Sequence, residues 1–204
     1  MRYEERFEAV LKSAASEFAR RGYDRASIRD VANAARMSVA GLYYYCKSKD
    51  ELLFGVCYNS FDFLLRTLQR SLKGVSDPTE QLQIFIFNHF EYFLSHVEAM
   101  KVVSHEAGVL SGELGARVAE IKRQYYLRGQ QIVQRLLGEG DSDSPHLRTT
   151  TLALFGMINW VYTWYRPGRD FYAKELAACV TDLFLHGVRS QAGAGQGQAE
   201  THGG

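Results

Sequence analysis

Three consecutive tyrosines, Tyr43, Tyr44 and Tyr45, stand in a stretch of residues 37–46, MSVAGLYYYC, that contains no charged residue. If this stretch is helical, neighbouring side chains point about 100° apart, so the three rings cannot all be buried on one face. A phenol offers a hydroxyl for hydrogen bonding and a ring for packing. At least one of these rings is therefore expected to meet solvent or a binding partner.

Four helices are predicted in the first 72 residues, because runs of apolar side chains at helical spacing alternate with capping residues. The residues that could cap or stop these helices are Gly22, Ser27 with Asp30, Ser38, and Ser48 with Glu51. The predicted helices cover residues 4–21, 28–35, 39–45 and 49–72. The middle two are very short.

The two short helices cannot be stable alone, so they must pack on the helices around them. Two helices joined by three or four residues form a helix-turn-helix arrangement, although the same caps also suit any small helical bundle. Residues 1–50 carry ten Lys and Arg against seven Asp and Glu, whereas residues 51–204 carry fourteen against sixteen. This weak difference in net charge between the two parts of the chain is compatible with nucleic-acid binding at the N-terminal end.

The segment from Ala26 to Leu53, ASIRDVANAARMSVAGLYYYCKSKDELL, resembles the TetR family of bacterial transcriptional regulators. The resemblance consists of a Ser-started helix, a small-residue turn, a Ser-capped recognition helix that ends in aromatic residues, and the KSKDEL run. Arg36 stands where that family commonly has glycine, so we expect a left-handed backbone conformation there. Cys46 stands where phenylalanine is usual, so we expect looser packing at the base of the recognition helix.

The resemblance implies that Tyr43 and Tyr45 lie against the DNA backbone and that Tyr44 can reach into the major groove. The alternative for each tyrosine is an exposed or half-buried ring with no partner. Arg29 is expected to contact a base edge or a phosphate, and the small residues 39–41 would let the helix enter the groove closely. The other expected phosphate contacts come from hydroxyl and ammonium groups. The DNA-binding residues implied in this way are Ser27, Arg29, Ser38, Val39, Ala40, Gly41, Tyr43, Tyr44, Tyr45 and Lys49.

The remaining chain is also predicted to be helical, which makes the fold class all-α. The further helices are expected at about 79–97, 98–110, 113–137, 146–166 and 171–188. Residues 190–204 are small, polar and low in complexity, which is typical of disorder. The expected domains are a three-helix head with the helix-turn-helix in residues 1–48, an effector-binding and dimerisation domain in residues 49–189, and a disordered tail in residues 190–204.

The segment LALFGMINWVYTWY, residues 152–165, is apolar on nearly every face, so such a helix must be covered on all sides. The family resemblance implies that the last two long helices form a four-helix interface with those of a second subunit. A homodimer would place two heads on the half-sites of a palindromic operator. The expected interface residues are Phe155, Tyr162, Val180, Leu183 and Phe184.

Aromatic residues crowd the middle helices, which indicates either a packed core or a cavity for a small apolar effector. The runs HEAG at 105–108, IKRQY at 121–125 and NWVYTWYRPG at 159–168 resemble family members that respond to acyl-CoA thioesters. Such a ligand needs an apolar slot, cations for its phosphates and a ring for adenine. The expected effector-binding residues are Phe87, Phe90, His105, Arg123, Tyr126, Arg128, Trp160, Trp164 and Arg166.

Other classes of function find little support in the sequence. No Ser-His-Asp order, P-loop or Gly-rich dinucleotide turn is present, and three cysteines without a CxxC spacing do not indicate a disulfide framework or a zinc site. We therefore expect no catalytic residues, no metal and no cofactor. Without an apolar signal segment or a run long enough to span a membrane, a cytoplasmic protein is expected. The alternative is an all-α acyl-CoA carrier or enzyme with no DNA role.

Overall fold

The computed structural model describes the backbone of residues 3–196 and the side chains of residues 3–187. Throughout this part of the chain the regular elements are helices and no strand occurs, which confirms the predicted all-α fold. Single turns of 3₁₀ helix lie at Ala107–Val109 and Val161–Thr163. The α-helices are α1 Tyr3–Arg21, α2 Ile28–Ala34, α3 Val39–Tyr43, α4 Lys49–Ser71, α5 Pro78–Ser95, α6 Val97–His105, α7 Gly112–Leu137, α8 Pro145–Asn159 and α9 Ala173–Gln196.

The chain forms two compact units. The head unit comprises Met1–Arg66 and Ser95–Tyr125, and the body unit comprises Thr67–Leu94 and Tyr126–Gly204. In the head unit, α1 packs on both α2 and α6. The packing therefore adds residues 49–66 and 95–125 to the head, which the boundary predicted after residue 48 does not anticipate. That boundary concerns function rather than packing and stays a prediction.

The predicted caps hold the short helices of the head unit. The N–H of Asp30 donates to Ser27 Oγ at 3.2 Å and the N–H of Ser27 donates back to Asp30 Oδ2 at 2.9 Å, which completes a capping box. Ser38 Oγ accepts the N–H of Gly41 at 3.0 Å and so starts α3. At α4, Ser48 Oγ accepts a hydrogen bond from the N–H of Glu51 at 3.1 Å.

Several helix ends differ from the sequence-based expectations. The predicted helices 98–110 and 146–166 stop at His105 and Asn159, because each is followed by residues of low helix propensity: Gly108 after the first, and β-branched and aromatic side chains after the second. In the other direction, α9 continues to Gln196 through the alanines and glutamines of the segment predicted as disordered. The rest of that segment, residues 197–204, lies outside the described residues.

The body unit has an interior rich in aromatic side chains, with Phe85, Phe90 and Phe93 of α5 all buried. Leu154 and Ile158 on α8 are also buried, so α8 has an inward face. Its opposite face, with Leu152 and Met157, is exposed in the single chain, and the expected cover of that side by a second subunit stays a prediction. Within the described residues, no helix is both long enough and apolar enough to cross a membrane.

Candidate DNA interface and effector site

The three tyrosines of the opening stretch have three different environments. Tyr44 is 74% exposed and Tyr43 is 51% exposed, whereas Tyr45 is half-buried. Among the described residues, the Tyr43 ring contacts no other aromatic ring. Tyr43 and Tyr44 therefore present phenol groups outward at the end of α3, as the prediction of a DNA-facing helix requires.

Tyr45 belongs to a tyrosine cluster formed by Tyr3, Phe7, Tyr44 and Tyr45. Its ring stacks on Tyr3 with the ring centroids 5.2 Å apart, and on Phe7 at 6.4 Å. Tyr44 meets the rings of Tyr3 and Tyr45 edge-on, at 5.9 and 5.2 Å. The structure thus turns Tyr45 towards α1, so its predicted role against the DNA backbone has no support in this geometry and stays a prediction.

Tyr3 is a residue of this interface that sequence reasoning did not single out. Its spacing of four from Phe7 could have indicated it, because residues at this spacing share one face of a helix. Through its edge-on contact, Tyr3 restricts the positions available to the exposed Tyr44 ring.

The Tyr3→Ala variant is expected to bind operator DNA about two- to tenfold more weakly, because aromatic pairs contribute about 0.5–1.5 kcal/mol and Tyr44 loses a restraint. Tyr3→Phe keeps the ring and should bind as the wild type does. The measurement is fluorescence anisotropy with a labelled operator fragment, and Tyr172→Ala, which removes a 73% exposed ring of the body unit, is the control. Equal affinities of all four proteins would show that Tyr3 does not position Tyr44.

The core side of α3 is well packed. Leu42 and Cys46 are buried, and the Cys46 thiol lies 3.6 Å from the Leu42 carbonyl oxygen. Burial raises the pKa of this thiol, so it stays neutral at physiological pH. The looser packing expected from cysteine at this position is therefore not evident. The left-handed conformation expected for Arg36 is confirmed, with φ of 54°.

Lys49 is engaged inside the head unit. Its Nζ donates to the carbonyl oxygen of Tyr23 at 2.9 Å and lies 4.2 Å from the centre of the Tyr23 ring. The Tyr23 hydroxyl donates to Asp50, and burial together with this bond raises the pKa of that hydroxyl. The N–H of Tyr23 donates to Glu106 at 3.2 Å. The loop between α1 and α2 is thereby held in place, and a phosphate contact by Lys49 would use a remaining N–H group.

The polar residues at the start of α2 are exposed. The Ser27 hydroxyl donates to Asp30 Oδ2 at 2.6 Å, and its hydrogen bonds lower the pKa of the Asp30 carboxyl. Arg29 is exposed, and its guanidinium has no partner among the described residues. On α3, Ser38 and Ala40 are also exposed. The geometry leaves these groups accessible to a DNA backbone without showing which of them makes contact.

The predicted effector residues are divided between the two units. His105 and Arg123 belong to the head unit, and the other predicted residues belong to the body unit. Arg123 is exposed and pairs with Glu120 at 3.0 Å. Arg128 and Arg166 are also exposed. The three cations expected to bind phosphates are therefore all exposed, and their place in one site stays a prediction.

The predicted aromatic residues are similarly divided. Phe90 is buried, and Tyr126 stacks on Phe155 with the ring centroids 5.5 Å apart. By contrast, Trp160 is 62% exposed, and Phe87 and Trp164 are exposed as well. Only Phe90 and Tyr126 of the predicted aromatic set belong to the interior of the body unit.

Glycine makes the close packing of this interior possible. Phe155 meets Phe85 edge-on with centroids 5.8 Å apart, and a Cβ atom at Gly129 would lie 3.0 Å from both rings. This separation is tighter than ordinary van der Waals contact. Gly129 therefore allows α7 to approach the two rings closely.

Buried polar groups of the same unit were missed by sequence reasoning. The Oγ1 atoms of Thr151 and Thr181 are buried and have no hydrogen-bond partner among the described residues. His89 is buried, hydrogen-bonded to the backbone of Ile158, and burial lowers its pKa to about 3, so the ring is neutral. A buried hydroxyl without a partner is costly, and it is satisfied readily by a ligand or a water molecule. No pattern in the sequence distinguishes these threonines from packed ones.

The predicted dimer residues differ in how much of their surface is exposed, and their role in an interface stays a prediction. Val180 and Phe184 are buried within the chain, and Phe155 packs inward against Phe85 and Tyr126. Val180 and Phe184 therefore have little surface left to bury in a dimer, whereas Phe155 is half-buried. Leu183 is 60% exposed, and Tyr162 is half-buried against Trp160. The large apolar side chains that are exposed on α8, directly after it and on the described part of α9 are Leu152, Met157, Trp160 and Leu183.

A capped two-helix motif with outward phenols, joined to a separate helical body, defines a helix-turn-helix DNA-binding regulator. Residues 10–56 match the family described as "Bacterial regulatory proteins, tetR family", and residues 75–188 match "Tetracyclin repressor-like, C-terminal domain". The chain belongs to the TetR family and is a DNA-binding transcriptional repressor of that type. Regulators of this family bind operator DNA and dimerise.

Similarity to individual proteins extends over most of the chain. The transcriptional repressor KstR2 of Mycolicibacterium smegmatis is 25% identical over 198 residues, which cover 92% of this chain and 93% of that protein. A TetR-family regulator from Bordetella parapertussis 12822 is 26% identical, covers 90% of this chain and 95% of its own, and superposes with a TM-score of 0.83. AibR, solved with isovaleryl coenzyme A and operator DNA, is 23% identical over 87% of this chain and 97% of its own, with a TM-score of 0.74, and shows the shared fold.

Proposed function

We propose that this repressor binds a palindromic operator as a homodimer and is released by a small apolar effector with an anionic end, an acyl-CoA thioester being the first choice. The observation that carries the DNA-binding part is the capped α3 helix with Tyr43 and Tyr44 exposed at its end. Its place of action is then the cytoplasm, where the operator is found. Any enzymatic role is unnecessary to this function.

The two exposed phenols would act differently on DNA. A hydroxyl of Tyr43 can donate to a phosphate oxygen, which fixes the position of the helix but carries no sequence information. Tyr44, held edge-on by Tyr3, would reach a base edge together with the small residues that precede it on α3. The sequence preference would therefore come from Tyr44 and Val39, and part of the affinity from Tyr43.

The Tyr43→Phe variant is expected to bind all DNA sequences about fivefold more weakly, because it loses one hydrogen bond worth about 1 kcal/mol and keeps the ring. Substitution of Tyr44 or Val39 should instead change which operator is preferred. The measurement is a gel shift that compares an operator with a scrambled sequence of the same length. A Tyr43→Phe protein with altered base preference and unchanged affinity for scrambled DNA would reverse these roles.

The same experiment separates the repressor from the alternative of an acyl-CoA carrier or enzyme. A repressor shifts a fragment of its own promoter region at a lower concentration than unrelated DNA, and the affinity falls as salt is raised. A carrier would show no sequence preference at any salt concentration.

The effector proposal is supported by the interior of the body unit, which combines rings with buried hydroxyls. An acyl chain would lie among Phe85, Phe90 and Phe155, and a thioester carbonyl would accept a hydrogen bond from Thr151 or Thr181. Because the rings are closely packed, they must move to admit the chain. AibR, which shares the fold, was solved with isovaleryl coenzyme A, and this favours the same ligand class.

The charged part of such a ligand would remain at the surface of the body unit. Arg128 and Arg166 are exposed there and can bind phosphate groups, and the exposed Trp164 offers a stacking surface for adenine. The earlier expectation that Arg123 and His105 belong to the same site finds no support in the body unit itself. We therefore restrict the proposed effector site to body-unit residues.

For the dimer, we propose the face that carries Leu152, Met157, Trp160 and Leu183. These side chains are apolar and exposed, and they lie on or next to the last two long helices. Gly156 on α8 has open space where a Cβ would stand, so a helix from a second subunit could approach closely. Covering this face would remove a large apolar surface from water.

A further inference from the structure

Arg36 has an unfavourable backbone conformation in the turn between α2 and α3. Its φ is 54°, and it is the one non-glycine residue with positive φ in the part of the chain that the structure describes. An L-residue with a side chain loses stability in this region, whereas glycine does not. A residue that remains in such a conformation needs a compensating interaction.

Within the described residues, no hydrogen bond or ion pair of the Arg36 side chain offsets this cost. The turn is held by backbone hydrogen bonds, from the N–H of Arg36 to Asn33 at 3.1 Å and from the N–H of Met37 to Ala32 at 3.0 Å. Glycine at position 36 could form the same bonds. The Arg36 side chain is exposed, and its guanidinium makes no hydrogen bond or ion pair with any described residue. The reason for arginine at this position therefore lies outside the chain.

The location of Arg36 indicates what the partner is. It stands two residues before Ser38, the N-cap of the recognition helix, so the two Cα atoms are at most about 7 Å apart. A long, permanently charged side chain at this distance from a DNA-facing helix lies within reach of the phosphate backbone. The guanidinium group has the geometry for paired hydrogen bonds to phosphate oxygens.

We propose that Arg36 binds a backbone phosphate of the operator next to the bases that α3 faces, and that this contact offsets the strain of the turn. The proposal rests on the DNA-binding function of the head. In this proposal Arg36 strengthens binding to DNA of any sequence and does not contribute to base preference. Removal of the side chain should therefore change stability and DNA affinity in opposite directions.

The test compares Arg36→Gly, Arg36→Lys and the wild type in thermal unfolding and in DNA binding at several salt concentrations. Arg36→Gly is expected to raise Tm by about 2–4 °C, because glycine adopts the left-handed conformation without the strain that a side chain causes. Its dissociation constants for operator and for scrambled DNA should both rise about tenfold. The logarithm of the association constant falls linearly with the logarithm of the salt concentration. For Arg36→Gly this slope should become less negative by about 0.9 for each bound head.

Arg36→Lys keeps the charge, so it should retain the wild-type salt dependence without the gain in Tm. Lys73→Gly removes a positive charge from an exposed turn of the body unit and is the matched control, with no change in the salt slope expected. An unchanged slope for Arg36→Gly, a loss of affinity confined to the operator, or a lower Tm would each overturn the proposal. A wild-type protein that binds no DNA would instead overturn the function of the head itself.

Discussion

The Leu183→Asp variant is expected to remain folded, to sediment as a monomer and to lose most of its operator affinity. Leu183 is 60% exposed on α9, so a carboxylate there is solvated in the isolated chain. In the dimer the same carboxylate would be buried without a partner, which costs about 3–5 kcal/mol and weakens association more than 100-fold. A monomer then contacts one half-site only, because two linked heads are needed to bind both.

Phe184→Asp is the matched comparison, since it places the same charge one position further along α9. Phe184 is only 6% exposed within the chain, so this variant should fail to fold rather than fail to dimerise. Circular dichroism and sedimentation together separate the two outcomes. Val109→Asp, at a 47% exposed apolar position of the head unit, controls for adding a charge and should remain dimeric. A dimeric Leu183→Asp protein would place the interface elsewhere.

Addition of a saturating acyl-CoA is expected to lower operator affinity by about 100-fold, because the binding-competent fraction falls from about 99% to about 1%. A shift from about 99:1 to 1:99 between the binding-competent and incompetent states requires about 5.5 kcal/mol of differential ligand binding. Two sites in a dimer could share this at a little under 3 kcal/mol each. Burial of a few methylene groups, at about 0.8 kcal/mol each, together with phosphate contacts is sufficient.

Thr151→Val probes the proposed site with almost no change in shape. Because the buried hydroxyl has no partner among the described residues, its replacement should leave Tm and effector-free operator affinity unchanged or slightly raised. If the hydroxyl donates to the thioester carbonyl, the effector concentration needed for release should rise about fivefold, the cost of one hydrogen bond. The measurement is anisotropy of labelled operator titrated with octanoyl-CoA.

Three ligands divide the effector proposal into its parts. Octanoyl-CoA, free coenzyme A and octanoate are compared by calorimetry with the wild type, Thr151→Val and Arg166→Ala. Weaker binding of octanoyl-CoA to Arg166→Ala, with unchanged effector-free operator affinity, supports a phosphate contact at the surface. Binding of octanoate without binding of octanoyl-CoA would exclude the thioester class and leave the repressor function intact.

Sequence alone determined the local features of the head. The caps at Ser27 and Ser38 were predicted correctly, because each depends on residues within three or four positions along the chain. The start of α4 after Ser48 follows for the same reason. The left-handed conformation at Arg36 was also predicted correctly, from the family resemblance, in which glycine is common at this position. Together with the family pattern of residues 26–53, these features were enough to predict a helix-turn-helix regulator.

Only the tertiary structure decided which side of each helix faces inward. The segment 152–165 is apolar on nearly every face and has no preferred direction in its sequence, so the sequence did not indicate that Phe155 packs against Phe85. Leu183 and Phe184 are adjacent on α9, and only the structure shows that Phe184 is buried and Leu183 is exposed. Likewise, three adjacent tyrosines indicate that some rings are exposed, but the stacking of Tyr45 on Tyr3 depends on where α1 lies. Packing between helices that are distant in sequence determines which rings are buried, and it also buries the Thr151 hydroxyl. Periodicity along one helix carries no information about which helices lie next to it.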